Sequence, residues 1–477
     1  MKKIALLLAA TSLLMACAKP APSGTAITNV SLIDAVHGLR ENQTVIFEDD
    51  EITAIQSADA ELRVATTLDG TGKFLIPGLW DFHVHLTYDD RFTPSMSEMF
   101  LSYGITSVRD TGGLMRKMLP VVEKMRAPDA IAPRVFFAGP LLDGNYVVYD
   151  GDSRPEIGTR NATPEDARAM IADLKSQGVD FIKIYELVSP EVFEAMIAAA
   201  QEHGLPVDSH VPLAMRASTA GASVDSIEHL RNIEMDCASN SAELHETRLE
   251  HMKNPENLSG FELRSSLHSL QRLPAIANYD EERCDQTLAA LKQTTQVPTL
   301  RLIGLSLVPP YSRNDWEDAL ARTPQAARED WRAVGEARQF DVGDANSEFL
   351  EFAHWAMFLV ERMHSQEIPL GAGTDTPIAV AIPGFSLHSE LDMLVRAGLS
   401  PLEALESATL RPARWFSIDD RAGSIDVGKQ ADLVLLNANP LDDINNTKSI
   451  HTVVSKGRAL SIEVLLERLR VAQESSR

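Results

Sequence analysis

Residues 79–86 read LWDFHVHL, an apolar stretch that carries two histidines two positions apart, His83 and His85. Successive side chains of a β-strand point to opposite faces, so residues i and i+2 share one face. If the stretch is a strand, both imidazoles point the same way, and two imidazoles on one face can bind one metal ion. Two core histidines that form hydrogen bonds to backbone groups would give the same pattern. This stretch alone therefore does not distinguish a metal site from two core histidines.

The stretch is the first of eight short apolar segments that alternate with amphipathic helical stretches. This alternation is typical of βα units, and eight of them predict a (β/α)8 barrel of the TIM type, an α/β fold. The active site of such a barrel lies at the carboxyl ends of its strands. The predicted strands are residues 79–86, 105–111, 134–139, 181–186, 206–211, 226–230, 297–302 and 368–376.

Both ends of the chain have a different pattern of apolar and polar residues from the predicted barrel at 77–414. Residues 24–76 alternate apolar and polar residues and break at Gly and Asp, which predicts short strands, and a similar pattern returns in 415–465. Within the barrel, residues 231–296 and 303–367 are long, polar and mostly helical in pattern. We expect these two insertions to cover the mouth of the barrel; decoration of its outside is the alternative.

Six ionisable side chains stand at or near the ends of five predicted strands. Each has an ordinary explanation, since a lone buried histidine is often a hydrogen-bonded core residue and an aspartate can cap a helix. Several buried charges without a common purpose would, however, be costly together. One pair of divalent cations would satisfy all of them. The six candidate metal ligands are His83, His85, Lys183, His210, His229 and Asp375.

Lys183 requires an argument of its own, because an ammonium group is a poor metal ligand and would repel two cations. A neutral lysine can react with carbon dioxide to give an anionic carbamate. Nearby metal charge and burial both lower a lysine pKa and so favour the reactive amine. The carbamate offers two oxygens, one for each metal, so we expect Lys183 to be carboxylated.

The chain has 477 residues and a formal net charge of −24. This acidity argues against nucleic acid and against an anionic membrane surface as partners, and solubility is sufficient to explain it. The oligomeric state is left open, a homo-oligomer included.

Residues 1–16 have a positive start, an apolar run and a small final residue, the pattern of a secretion signal. The following Cys17 resembles the cysteine of the bacterial lipoprotein cleavage box, so we expect it to carry the lipid and residues 17–23 to form a tether. Ala18, in place of an acidic residue, resembles the pattern sent to the outer membrane. The expected location is therefore the bacterial envelope, at the outer membrane facing the periplasm. The lipid anchor would be the only contact with the membrane. A plain soluble signal peptide is the alternative.

The two other cysteines are Cys237 and Cys284. They lie in one segment, and neither has the spacing of a zinc site. An oxidising periplasm permits a disulfide between them, but the sequence does not show that they meet.

The candidate ligands and the segments around them resemble those of the amidohydrolase superfamily of metal-dependent hydrolases. The branch that looks most similar is the one near imidazolonepropionases and Xaa-Pro or Xaa-Arg dipeptidases. The resemblance covers nearly the whole chain after the tether, and least of all the two insertions. Its motifs are PGLWDFHVHL (77–86), SVRDTGG (107–113), GVDFIKIY (178–185), SIEH (226–229), GAGTDTP (371–377), PGFSLHSEL (383–391), AGLSPLEALESATLRPA (397–413) and GSIDVGKQADLVLLNANPL (423–441).

The resemblance implies a role for each candidate ligand and a second domain. Segments 24–76 and 415–465 would form one small β-sandwich. One metal would be bound by the first-strand histidines and Asp375, the other by His210 and His229, and carboxylated Lys183 and a hydroxide would bridge the two metals. Zinc is the default for a histidine-rich binuclear site, although other divalent ions also occupy such sites.

Four residues receive further roles in the reaction or in substrate binding. The bridging hydroxide would attack the carbonyl carbon, and Asp375 would act first as general base and then as general acid. Tyr185 shares a strand face with Lys183 and would bind the developing oxyanion, as the family suggests; a packing role is the alternative. Arg109 would bind a substrate carboxylate or serve as a structural ion. His388 is a further substrate-binding candidate that could instead only order its loop.

The predicted function is hydrolysis of C–N amide bonds in a small-molecule amide or peptide, such as a dipeptide or an N-acyl amino acid. Ester, lactone or phosphotriester hydrolysis at the same metals is the alternative within enzymes. A mononuclear deaminase is less favoured because Lys183 argues for two metals. The alternative outside enzymes is a catalytically inactive binding protein of the same fold, against which the six ligand-type residues argue.

Overall fold

The computed structural model describes residues 23–152, 154–340 and 347–474. The predicted signal peptide and Cys17 lie outside the described residues. Within those ranges, no helix combines the length and the hydropathy that are needed to cross a membrane.

The chain order of the strands shows two groups of β-structure separated by a long α/β region. The strands are β1 (Thr25–Asp34), β2 (Gly38–Glu48), β3 (Glu51–Ser57), β4 (Thr66–Asp69), β5 (Phe74–Pro77), β6 (Leu79–Val84), β7 (Ile105–Asp110), β8 (Arg134–Phe137), β9 (Leu141–Asp143), β10 (Gly158–Arg160), β11 (Ile182–Ile184), β12 (Val207–Ser209), β13 (Ser226–Glu228), β14 (Thr295–Val297), β15 (Leu433–Leu436), β16 (Ile450–Ser455) and β17 (Arg458–Ser461).

Several of the α-helices begin at a residue that the sequence marks as a cap. Thr163, Ser259 and Ser400 each accept a hydrogen bond from the backbone three residues on and complete a capping box. The helices are α1 (Met96–Ser102), α2 (Met115–Arg126), α3 (Pro164–Ser176), α4 (Pro190–Glu202), α5 (Ala217–Ala220), α6 (Ile233–Asp236), α7 (Ser241–Met252), α8 (Gly260–Ala277), α9 (Glu281–Ala290), α10 (Leu300–Ile303), α11 (Trp316–Ala321), α12 (Gln325–Glu336), α13 (Glu348–Ser365), α14 (Phe385–Arg396), α15 (Pro401–Ser407), α16 (Leu410–Trp415) and α17 (Ile462–Glu474).

The two chain ends meet in one sheet. Strands β1–β5 and β15–β17 form an eight-stranded sheet in which β15 pairs antiparallel with β5 and so joins the two ends. Its apolar face encloses a core of its own, built from side chains such as Val45, Phe47 and Leu433. Together with the parallel strands described next, this sheet confirms the predicted fold class, a barrel with a smaller β domain from both chain ends.

The barrel strands pair in parallel in chain order. Strands β6, β7 and β8 form one group, and β9, β11, β12, β13 and β14 form another, with β10 added at the edge of β9. The predicted eighth strand, 368–376, closes the ring without forming a regular strand. It makes single parallel bridges, Leu370 with Gln296 of β14 and Thr376 with Val84 of β6.

The seventh strand differs from its predicted position at 297–302. The structure places β14 at Thr295–Val297 and a helical turn, α10, at Leu300–Ile303. The strand ends because Thr299 has a left-handed backbone, with φ of 48°. The carboxylate of Glu390 then accepts hydrogen bonds from the amides of Leu300 and Arg301, at 2.9 and 2.7 Å, and so caps the turn. The apolar pattern alone does not reveal this distant cap.

The first insertion is helical, as predicted, and is crosslinked within itself. Cys237, the residue after α6, forms a disulfide with Cys284 in α9. Both cysteines are buried. The pairing that the sequence left open is therefore present, and it ties the start of the insertion to its last helix.

Candidate metal centre

The structure brings all six candidate ligands to one small cavity at the carboxyl ends of the barrel strands. Each of the six is buried. Tyr185 lines the same cavity, together with Tyr149 and Arg231, which no sequence motif indicated. The six are His83 and His85 after β6, Lys183 in β11, His210 after β12, His229 after β13 and Asp375 in the segment that closes the barrel.

His83, His85 and Asp375 form the tightest group of potential ligands. One ligand atom of each lies within 4.8 Å of the others. The Nε2 atoms of His83 and His85 are 3.2 and 3.1 Å from the same carboxylate oxygen of Asp375. Three donors that converge in this way from two strand ends fit a divalent metal ion.

The four histidines all present Nε2 to the cavity, because a protein acceptor faces each Nδ1. A proton on Nδ1 leaves the lone pair on Nε2, and this arrangement orients imidazoles in metal sites. The hydroxyl of Thr299 donates to the carbonyl of Pro298 at 2.7 Å, so it accepts from its histidine. The Nδ1 partners are Glu228 for His83, the carbonyl of Gly112 for His85, Glu186 for His210 and Thr299 for His229.

Lys183 lies at the floor of the cavity with its own counterion. Its Nζ atom donates to Asp208 at 2.9 Å, and Asp208 also accepts from the hydroxyl of Ser226 at 3.0 Å. Lys183 is thus close to the histidines and oriented by a carboxylate. Its carboxylation stays a prediction.

Burial and neighbouring charges shift the pKa values of the candidate ligands in different directions. Burial lowers the pKa of His210 to about 4, helped by the positive charge of Lys183, and also lowers the pKa of His229. Burial alone would raise the pKa of Asp375, but the neighbouring histidines hold it well below its usual range. A neutral imidazole and an ionised carboxylate are the states in which these groups bind metals.

His83 is the exception among these candidate ligands. Burial would lower its pKa, but the carboxylates of Glu228 and Asp375 outweigh burial and raise the pKa of His83 to about 9. Without a metal the imidazole is therefore protonated near neutral pH. A metal that binds at Nε2 must displace this proton.

Two of the candidate ligands have a strained backbone. His229 and Asp375 both have φ of 61°, in the left-handed region that residues other than glycine rarely adopt. Strain of this kind costs on the order of 1–3 kcal/mol per residue and is concentrated at functional sites. The fold tolerates it here at two positions where it turns a candidate ligand into the cavity.

Tyr185 lies beside the histidines. Its ring centroid is 4.4 Å from that of His210 and 5.8 Å from that of Tyr149. Burial raises the pKa of Tyr185 well above its ordinary value. The hydroxyl therefore remains protonated and is available as a hydrogen-bond donor in the cavity.

Arg109 does not reach the cavity, which corrects its assignment as a substrate-binding residue. Its guanidinium is fully buried beneath the site and donates to Glu228 at 2.6 Å, to Ser226 at 3.0 Å and to the carbonyl of Phe82 at 2.6 Å. The side chain is long enough to fold back between the strands. Arg109 is a structural cation that neutralises the carboxylate bonded to His83.

His388 is likewise not a substrate-binding residue. It is buried in α14, where one ring nitrogen contacts the hydroxyl of Thr447 at 2.8 Å and the other donates to the carbonyl of Tyr103 at 3.0 Å. Both ring nitrogens are thus occupied away from the cavity. The residue joins α14 to its neighbours, in agreement with the alternative that the sequence left open.

Sequence reasoning missed the acidic residues that support the histidines. Glu186 accepts from His210 at 2.6 Å and also from Arg231, Arg264 and His268. Glu186, Asp208 and Glu228 stand in the same apolar segments as the predicted ligands. A charged residue within an apolar segment was the signal that could have identified them. The residues that they contact are distant in sequence and could not be identified in this way.

A larger cavity of about 660 Å³ adjoins the candidate metal centre. The two cavities share Tyr149, Arg231, Asp375 and Ile378. Residues of both insertions line the outer cavity, including Arg272 from the first and Phe352 from the second. Both insertions thus contribute side chains to the cavity beside the six candidate ligands.

Comparisons with known proteins agree with this description. Residues 356–460 match the family model described as Amidohydrolase family. A dihydroorotase from Syntrophotalea carbinolica (strain DSM 2380 / NBRC 103641 / GraBd1) is 44% identical over 64 residues, which are 13% of this chain and 14% of that protein. The chain therefore spans only a small part of that relative's length.

Two solved structures share the fold over nearly the whole chain. A Xaa-Pro dipeptidase with bound methionine in the active site is 18% identical with a TM-score of 0.64, and covers 92% of this chain and 100% of its own. A bottromycin amidohydrolase is 23% identical with a TM-score of 0.69, and covers 96% of this chain and 91% of its own. The chain is thus similar to the Amidohydrolase family over residues 356–460, and it shares the fold of these two structures.

Proposed function

We propose that the protein is a metal-dependent hydrolase that cleaves C–N amide bonds in dipeptides or N-acyl amino acids. The observation that carries this proposal is the convergence of two imidazole Nε2 atoms and a carboxylate oxygen within 4.8 Å, from His83, His85 and Asp375. The match of residues 356–460 to the Amidohydrolase family supports it. So do the names of two proteins with the same fold, a Xaa-Pro dipeptidase and an amidohydrolase.

The donor set fits two divalent ions, with zinc as the default. His83, His85 and Asp375 would hold one ion, and His210 and His229 the other. Lys183, as a carbamate, would supply an oxygen to each. When bound, such ions lower the pKa of a water molecule and polarise a carbonyl group.

The side chains of the cavity provide the proton transfer and the orientation. Asp375 accepts a proton from the attacking water at a carboxylate oxygen and delivers it to the leaving nitrogen. Tyr185 donates its hydroxyl hydrogen to the substrate carbonyl oxygen, where negative charge develops. Buried Glu186 and Glu228 hold the rings of His210 and His83 in place.

The direct test is amine release from a library of dipeptides and N-acyl amino acids. The protein is loaded with zinc in the presence of bicarbonate, and Asp375→Ala serves as the control. We expect release from a coherent subset and none from the control. With metal bound and no release, the search turns to esters, lactones and phosphotriesters. A protein that binds no divalent metal after zinc supplementation would instead favour the inactive binding protein.

Replacing Lys183 by alanine tests the binuclear part of the proposal. We expect Lys183→Ala to lose one of two bound metal ions, and the mass of one carbon dioxide, in native mass spectrometry. The matched control is Lys175→Ala, an exposed residue of α3, which should keep both. An unchanged metal count in Lys183→Ala would contradict carboxylation as the bridge, without affecting the mononuclear site at His83, His85 and Asp375.

A further inference from the structure

Arg272 is a cation without a partner in the outer cavity. It lies on α8 in the first insertion and lines the cavity of about 660 Å³ that opens onto Asp375. Its guanidinium stacks on the ring of Phe352, 4.0 Å from the centroid. Within the described part of the chain it makes no hydrogen bond or ion pair, and its Nε atom is buried without an acceptor.

The other arginine among the described residues that line this cavity, Arg231, is already paired. Arg231 donates to Glu186 at 3.2 Å, and Arg264 donates to the same carboxylate at 3.1 Å. The carboxylates whose charges act on Arg272 are Glu234 and Glu348, as well as Glu186. None of the three forms an ion pair with it across the described residues. Among the described residues that line the cavity, Arg272 is therefore the cation that a ligand can still neutralise.

The rest of this cavity wall is largely apolar. Side chains from α10, the turn that follows it and the start of α13 contribute Leu302, Ile303, Leu305, Phe349 and Phe352. Phe349 is an exposed large apolar side chain, with 65% of its surface accessible. A volume of about 660 Å³ is within the usual range for small-molecule sites. An apolar wall that faces one unpaired guanidinium fits a ligand with both an apolar and an anionic part.

We infer that the preferred substrates are amides that carry a free carboxylate and a large apolar side chain, with Arg272 binding the carboxylate. The inference rests on the proposed function, because the cavity shares Asp375 with the metal centre. A planar guanidinium binds a carboxylate through two parallel hydrogen bonds. Phe352 holds the guanidinium from behind, and the apolar wall excludes water from the substrate side chain.

The test compares two substrates that differ only in the carboxylate, N-acetyl-L-phenylalanine and N-acetyl-2-phenylethylamine. We expect Arg272→Met to lower kcat/KM for the acid by about 10- to 100-fold and to change kcat/KM for the analogue without a carboxylate by less than about threefold. Arg272→Lys should keep part of the preference for the acid. Lysine keeps the positive charge but cannot form the two parallel hydrogen bonds of a guanidinium. The control Arg332→Met removes a cation of α12 that pairs with Glu317 at the surface.

An acid preference that survives in Arg272→Met would overturn the inference. Binding of N-acetyl-L-phenylalanine to the metal-depleted protein, measured by calorimetry, separates this failure from failure of the proposed function. If the wild type binds the acid and Arg272→Met does not, Arg272 binds the carboxylate even when no amide is cleaved. Equal binding by both proteins contradicts the inference even when amides are cleaved.

Discussion

Replacing Asp375 by asparagine should lower kcat/KM for every amide that the protein cleaves by about 100- to 10,000-fold. Asparagine keeps the shape of the side chain and one carbonyl oxygen, but it can no longer accept the proton of the attacking water. The carboxylate lies 3.2 Å from His83 and 3.1 Å from His85, so no other carboxylate is as well placed among the described residues that line this cavity. The measurement is amine release at saturating zinc.

The metal content of the same variant separates two roles of Asp375. If the metal is retained and activity is lost, Asp375 carries the proton. If metal and activity are lost together, its main role is that of a ligand. The control Asp330→Asn changes an exposed carboxylate of α12 and should leave activity unchanged. Activity of Asp375→Asn within about threefold of wild type would refute the proposed mechanism.

Replacing Arg109 by methionine should destabilise the protein by about 3–5 kcal/mol, the usual effect of removing one partner of a buried ion pair. Arg109 donates to Glu228 at 2.6 Å and lies 3.8 Å from Asp208, and all three side chains are fully buried. Methionine would fill much of the same space against Phe82, but it would leave two carboxylates without this cation. Urea unfolding measures the loss.

The matched surface variant is Arg332→Met, whose pair with Glu317 is solvent-exposed. It should cost no more than about 1 kcal/mol. Adding Glu228→Gln to Arg109→Met should recover part of the loss, because the second change removes one of the uncompensated charges. If Arg109→Met is no less stable than Arg332→Met, the buried network does not contribute to stability as described.

The architecture was accessible from the sequence because it depends on local periodicity. Apolar segments separated by helical stretches predicted the barrel, and alternation along a strand placed His83 and His85 on one face. The rule that barrel sites lie at the carboxyl ends of strands then grouped six residues that are up to 292 positions apart, from His83 to Asp375. The structure places all six around one cavity.

The hydrogen-bond partners of buried polar side chains could not be predicted in the same way. Glu186 bonds residues of α8 that lie 78 and 82 positions later in the chain, in an insertion whose docking no local pattern describes. The same limit explains the errors at Arg109 and His388, because a polar side chain beside a site can point into the cavity or into the core. The early end of β14 has a similar origin, since Glu390, which caps the turn α10 that follows the strand, belongs to α14.

The sequence by itself determined the barrel, the smaller β domain from both chain ends and the six residues with ligand chemistry, because strand and helix periods are properties of neighbouring residues. Only the tertiary structure decided which nitrogen of each histidine faces the cavity and which cations already have an anionic partner. It also decided that Arg272 has no such partner among the described residues. These properties depend on contacts between distant segments, where burial makes each unpaired charge costly and so selects its partner.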